Sequence, residues 1–385
     1  MYIWPLFAAA TVGWFGCKKL YNPKLVTNSN SYLVVEGFIN TGNDSTIVKL
    51  SRTVQVSSSK SSTPEPDAVV SIDGDNNTSF PLTGQGGGEY AAPALGLDTT
   101  HRYRLHIHTT DGNEYVSDYS QPKYTPPIDS VGYTVQGNGI QLYVNAHDPK
   151  NNTRYYRWDY DETWQFHAEH FSTYITNGTD IVARAPSQFT YECFHSDTSS
   201  SITLASSAKL AQDVIYQSPL IFIPSTSEKI EVKYSILVKQ YALTSEAFNY
   251  WENLEKNSQN LGTIFDPQPS ELTGNIHCVT NPAIPVIGYL SVGNVQEKRI
   301  FINNRQLPQT WQPTYPYACH LDTLLYCAPP NCYNQVANSL IPLPPQAIPV
   351  IPVLAGGQII GYFGSSYECT DCTIRGTKTQ PAFWQ

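Results

Sequence analysis

Apolar and polar residues alternate with a period of two along much of this chain, the mark of half-buried β-strands. In 102–108, Tyr103, Leu105 and Ile107 fall on one face and Arg102, Arg104, His106 and His108 on the other. Residues 139–146 alternate in the same way. The clearest strand is 229–240, with Ile230, Val232, Tyr234 and Ile236 opposite Glu231 and Lys233. Further strands are expected at 31–40, 46–50, 67–72, 114–117, 155–160, 282–292 and 298–302. Clusters of Gly, Asn and Asp at 42–44, 73–77, 85–88 and 111–112 separate them as turns. One segment changes period. Thr244 or Ser245 caps a helix predicted over 245–261, Glu246 lies in its first turn, and Phe248, Trp251 and Leu254 recur every third residue. Gly262 stands where such a helix ends. This aromatic stripe is expected to pack on a sheet rather than form a ligand platform.

These elements predict a mainly β protein in two unequal parts. An immunoglobulin-like β-sandwich is expected over 31–125. A larger β-rich domain with one inserted helix and a cysteine-rich C-terminal region is expected over 128–385. Pro126 and Pro127 cannot donate to a strand ladder and mark the boundary. Residues 341–353 hold five prolines among apolar side chains and read as an extended connection or a sheet edge.

The first residues set the expected compartment. Residues 2–16 are uncharged and too few to span a bilayer, which takes about 20. They read as a signal peptide over 1–16, followed by a tether over 17–30. Gly16-Cys17 matches the end of a bacterial lipobox, which makes Cys17 the expected lipidation site.

Composition agrees with the pattern. The chain has 385 residues, with 26 Tyr and 28 Pro. Charged residues make up 14%, against roughly 25% in an average globular chain. The net charge is −9 with no basic run, which gives nucleic-acid binding no footing.

Of the eight cysteines, five lie between 319 and 372. Outside the cytoplasm such clusters form disulfides. Cys193, Cys319, Cys327, Cys332, Cys369 and Cys372 are the candidates, with Cys278 the odd one out, being remote from the cluster. Zinc is the competing reading of Cys369-Thr-Asp-Cys372 with Cys319-His320, but no second C-x-x-C completes a zinc pattern.

Catalytic signatures are missing. The sequence holds no G-x-S-x-G, H-E-x-x-H or phosphate-binding loop. The stretch 167–170 lacks the spacing of a zinc-protease helix. Asp73, Asp75 and Asn77 begin like a calcium loop, but Thr78 and Gly84 occupy its sixth and twelfth positions. His106 and His108 share a strand face, which suits zinc on sheets, but the sequence identifies no third ligand. No metal or cofactor is expected. Asp159, Asp161 and Glu162 lie close to Trp158 and Trp164. Acid beside aromatic suits a glycan- or peptide-binding surface, so the two tryptophans are the candidate platform. The same carboxylates suit a hydrolase, the weaker alternative.

Four segments carry a resemblance. They are SYLVVEGFINTGNDSTIVKLSRT (31–53), VKYSILVKQYALTSEAFNYWENLEKNSQNLGTIFDPQPSELTGNIH (232–277), NPAIPVIGYLSVGNVQEKRIFI (281–302) and CTDC with PAFW (369–384). Together they resemble the DUF4249 family of Bacteroidota lipoproteins. The resemblance implies an outer-membrane, lipid-anchored protein, non-enzymatic, acting as an accessory or ligand-capture partner of a TonB-dependent receptor. A stand-alone glycan- or peptide-binding module is the alternative. Family export signals favour acidic residues after the lipidated cysteine. Lys18 and Lys19 stand there instead, which leaves both faces of the outer membrane open.

Overall fold

The computed structural model describes residues 31–54, 62–259 and 272–384. The segments expected as signal peptide (1–16) and tether (17–30), with Cys17, and Gly262 lie outside them. Strands account for 46% of the structure and helices for 10%, so the β-rich expectation holds. No helix among the described residues is long and apolar enough to cross a membrane.

The first unit begins with β1 (Leu33–Asn40), β2 (Thr46–Arg52), β3 (Thr63–Pro64), β4 (Val69–Gly74), β5 (Ser79–Gly86), β6 (Glu89–Ala92), β7 (Tyr103–His108) and β8 (Glu114–Ser117). Strand β5 works twice. Its first half pairs with β4 and its second half with β6, so the sheet folds over on itself. The inward residues of both halves, among them Leu33, Val48, Ile72, Leu105 and Tyr115, then close on one core. The β5–β6 hairpin needs its glycines. Gly88 has φ +79, and a Cβ there would meet the Leu50 carbonyl oxygen at 2.2 Å.

The second unit contains β9 (Ile128–Gln136), β10 (Gly139–His147), β11 (Tyr155–His167), β12 (Tyr174–Thr176), β13 (Ile181–Ala183), β14 (Glu192–Thr198), β15 (Thr203–Ser206), β16 (Val214–Pro224), β17 (Lys233–Ala242) and the helix α1 (Ser245–Gln259). Thr244 caps α1 by accepting the Ala247 N–H at 3.1 Å. The chain then returns to the first unit. There β18 (Ile276–Cys278) pairs with β8, and β19 (Ser291–Gly293) runs parallel to β1. The first unit is therefore a ten-stranded sheet in the order β18-β8-β7-β4-β5-β6-β2-β1-β19, with β3 on β2. This corrects the boundary expected at 125, since the unit is finished by residues beyond α1. Three-residue strands show no alternation, so their pairing was invisible in the sequence.

Strand β20 (Gln296–Asn303) completes the second unit. The sheet β14-β11-β17-β20, with β15 also on β11, faces the sheet β16-β10-β9. Trp158, Phe166, Tyr234 and Ile236 from the first sheet share a core with Ile140, Leu142, Val144 and Ile223 from the second.

The C-terminal region adds β21 (Asp322–Leu325), α2 (Gln335–Ser339), β22 (Ile348–Ala355), β23 (Gln358–Ser365) and α3 (Tyr367–Thr370). The prolines Pro349 and Pro352 sit on β22, the edge strand of β21-β23-β22, as an edge permits. Three disulfides join Cys193 to Cys372, Cys319 to Cys369 and Cys327 to Cys332. These are the six cysteines expected, and Cys278 is free and buried.

Candidate functional site

A cleft of about 800 Å³ lies where the two units meet. Strand alternation builds both walls. On β11 the even positions from 156 to 166 face the core and the odd positions 157, 159 and 161 face the cleft. On β1 and β2, Glu36, Phe38, Ile47 and Lys49 point into it from the other side. The polar segment 198–202 forms a lip.

Arg157 is the centre of this arrangement. Its guanidinium carbon lies 4.5 Å from the ring centroid of Tyr241 and 4.3 Å from that of Trp251. Two aromatic faces therefore hold one cation. Its Nη2 donates to Asp159 Oδ2 at 2.9 Å, while its Nε is buried with no hydrogen-bond partner. Phe38 from β1 meets Tyr241 edge-on at 5.0 Å and carries the aromatic wall into the first unit. Lys239 pairs with Asp161 at 2.7 Å. Burial, with the charge of Asp159 adding, holds the Tyr241 hydroxyl far above its ordinary value, although Arg157 opposes this. It stays protonated at neutral pH. The cleft thus offers hydroxyls, amide-sized polar edges and charges of both signs beside flat rings.

The expected platform is not there. Trp158 is fully buried and Trp164 nearly so. The Trp158 indole N–H donates to Gln240 Oε1 at 2.8 Å, and Trp164 packs against His195 and under Lys229. The reason is the pleat: acids and tryptophans that are neighbours in sequence face opposite sides of β11. Glu162 also turns inward, where Lys229 pairs with it at 2.6 Å. Asp159 and Glu162 therefore cannot act on one substrate. The aromatic residues that do line a cleft are Phe38, Tyr241 and Trp251. Trp251 belongs to the helical stripe, which packs on the sheet as expected and also edges the cleft.

A second cavity of about 500 Å³ surrounds Glu231. That carboxylate is fully engaged. It accepts from the Tyr315 hydroxyl at 3.0 Å, from the His167 backbone N–H at 3.1 Å, and pairs with His167 Nδ1 at 3.1 Å. His167 is thus tied into the structure by Glu231. Asp73, Asp75 and Asn77 form the β4–β5 hairpin turn, with Asp75 on His101 and Arg102.

The architecture defines a mainly β, disulfide-linked protein of two units with a polar cleft at their junction. The chain belongs to the family described as a domain of unknown function (DUF4249), which matches residues 18–299. No curated protein matches it.

Proposed function

We propose that this chain is a non-enzymatic capture protein of the cell envelope, held at the outer membrane through Cys17 and working beside a TonB-dependent transporter. The cleft between the two units takes a polar ligand and presents it to the barrel. The observation that supports this reading is Arg157, caged between Tyr241 and Trp251 on the floor of a cleft rimmed by hydroxyls and carboxylates. A fixed cation beside flat rings suits recognition of a glycan or peptide, where a few placed polar groups give orientation. Disulfides that join distant segments suit an oxidising compartment.

The test is co-purification. The tagged full chain is extracted from outer membranes in mild detergent, and its companions are identified by mass spectrometry. A stoichiometric outer-membrane barrel is the expected companion. Recovery of the chain alone would overturn the transporter partnership, and ligand binding by that lone chain would make it a stand-alone module.

A further inference from the structure

We infer that His106, His108 and Glu114 form a zinc site with one open coordination position, on the outer face of the first unit. The site is separate from the cleft, which none of the three lines. Strand alternation sends His106 and His108 to the same side of β7. The β7–β8 hairpin then sets Glu114 directly opposite His108. The three ligand atoms all lie within 4.8 Å of one another. His106 Nε2 is 2.8 Å from Glu114 Oε1, and His108 Nε2 is 3.9 Å from the same oxygen. Zinc bonds to such atoms are about 2.0–2.2 Å, which places tetrahedral ligands about 3.3 Å apart. The observed spacings straddle that value, so a small rotation of the exposed His108 ring toward Glu114 closes the site.

The surroundings are those of a metal ligand set. His106 Nδ1 faces Asp73 Oδ2 at 2.9 Å. Donation of the Nδ1 proton to Asp73 leaves the Nε2 lone pair aimed at the shared centre, the carboxylate–histidine–metal arrangement. Asp73 is itself fixed, accepting from Ser79 Oγ at 2.7 Å and Ser71 Oγ at 3.1 Å. Arg104 is 3.8 Å from Asp73 and lies over the Tyr119 ring. Two neutral imidazoles and one carboxylate leave a zinc ion with one positive charge, which Asp73 offsets. His108 is half exposed, so the fourth position opens to solvent. Water or a donor atom of an incoming molecule fills it. The sequence showed the two histidines but not Glu114, because that ligand comes from a paired strand.

The test is a zinc titration of the purified full chain carrying a histidine-free tag, after chelator treatment, by competition with a fluorescent chelator. One zinc per chain is expected. His106→Ala and His108→Ala should each weaken binding by at least about 100-fold, and Asp73→Asn by about 10–100-fold. Glu114→Gln, which keeps the side chain's size but removes the ligand's charge, should also weaken binding, and melting in the absence of metal confirms that each variant keeps the native state. Absence of stoichiometric binding would overturn the inference. So would stoichiometric binding that survives the double variant His106→Ala/His108→Ala.

Discussion

Asn294 grips Thr125 three times, its Nδ2 donating to the Thr125 carbonyl at 3.3 Å. Its side-chain Oδ1 accepts the Thr125 N–H at 2.9 Å, and its backbone carbonyl accepts the Thr125 hydroxyl at 2.6 Å. The same hydroxyl oxygen accepts the Ala242 N–H at 3.0 Å. One step on, Gln240 Nε2 donates to the Pro126 carbonyl at 2.7 Å while its Oε1 holds the Trp158 indole. The crossing between the two units is therefore pinned to the end of β17, to the segment after β19 and to the core of β11.

Thr125→Val keeps the shape of the side chain and removes the hydroxyl. The part-buried Asn294 carbonyl and the buried Ala242 N–H lose a partner, at about 1–3 kcal/mol for each group left unpaired. Urea unfolding of the variant should show a loss of that size. A change below about 0.5 kcal/mol, the scale of a neutral surface substitution, would show that the crossing is not held this way.

The two classes of tryptophan should separate cleanly. Trp158→Ala empties a fully buried site and should cost about 3–5 kcal/mol. Trp251→Ala removes one face of the Arg157 cage from a partly buried position. Its cost should be about 1–2 kcal/mol, with its main effect on ligand capture. Equal losses of stability would contradict the placement of these rings.

How much of this was legible in the sequence depended on the length of the element. Long strands such as β7, β10 and β17 showed their faces directly, and the α1 cap at Thr244 was visible as a residue type. The six paired cysteines were legible as a group, but not their partners, because Cys193 and Cys372 are 179 residues apart. The cleft was not legible. Trp158 and Trp164 stand beside acids in the sequence, but a pleat separates neighbours and joins residues two apart. Arg157, Tyr241 and Trp251 meet only because β11 pairs with β17 and the helix folds back over both. The β18 and β19 additions are too short to carry a period at all.

The disulfides should differ in worth. Cys193–Cys372 closes a loop of 179 residues and Cys327–Cys332 one of five. Loop-closure entropy rises with the logarithm of loop length, so losing the long link should cost about 2–5 kcal/mol and losing the short one less. Paired Cys→Ala variants in thermal unfolding give the comparison. In a Cys17→Ser background, thiol titration of the unfolded, unreduced chain should find one free thiol, that of Cys278. Three or more would rule out the full set of links.

His167 supplies a pH dependence. Burial works to lower its pKa, but the hydrogen bond and charge of Glu231, with Glu192 adding, outweigh burial and hold it above the ordinary value. An unfolded imidazole titrates near about 6.5. The stabilisation from this pair is therefore complete below that pH and is lost as pH rises through the higher folded value. His147, raised by its hydrogen bond to Asp129, titrates in the same direction. The readout is accordingly a difference between chains. Between about pH 6 and pH 9 the native melting temperature should fall more steeply than that of His167→Gln. Parallel slopes would contradict the pairing with Glu231.

Site-specific photo-cross-linking in the native envelope tests capture at the junction cleft most directly. The cross-linker is placed in the full chain at Ser200, on the exposed lip of the cleft, and separately at Tyr216, which is 76% exposed and outside it. The account predicts a discrete adduct from Ser200 that Trp251→Ala abolishes, and none from Tyr216. No adduct at Ser200, or one formed from Tyr216 alone, would contradict capture in the cleft.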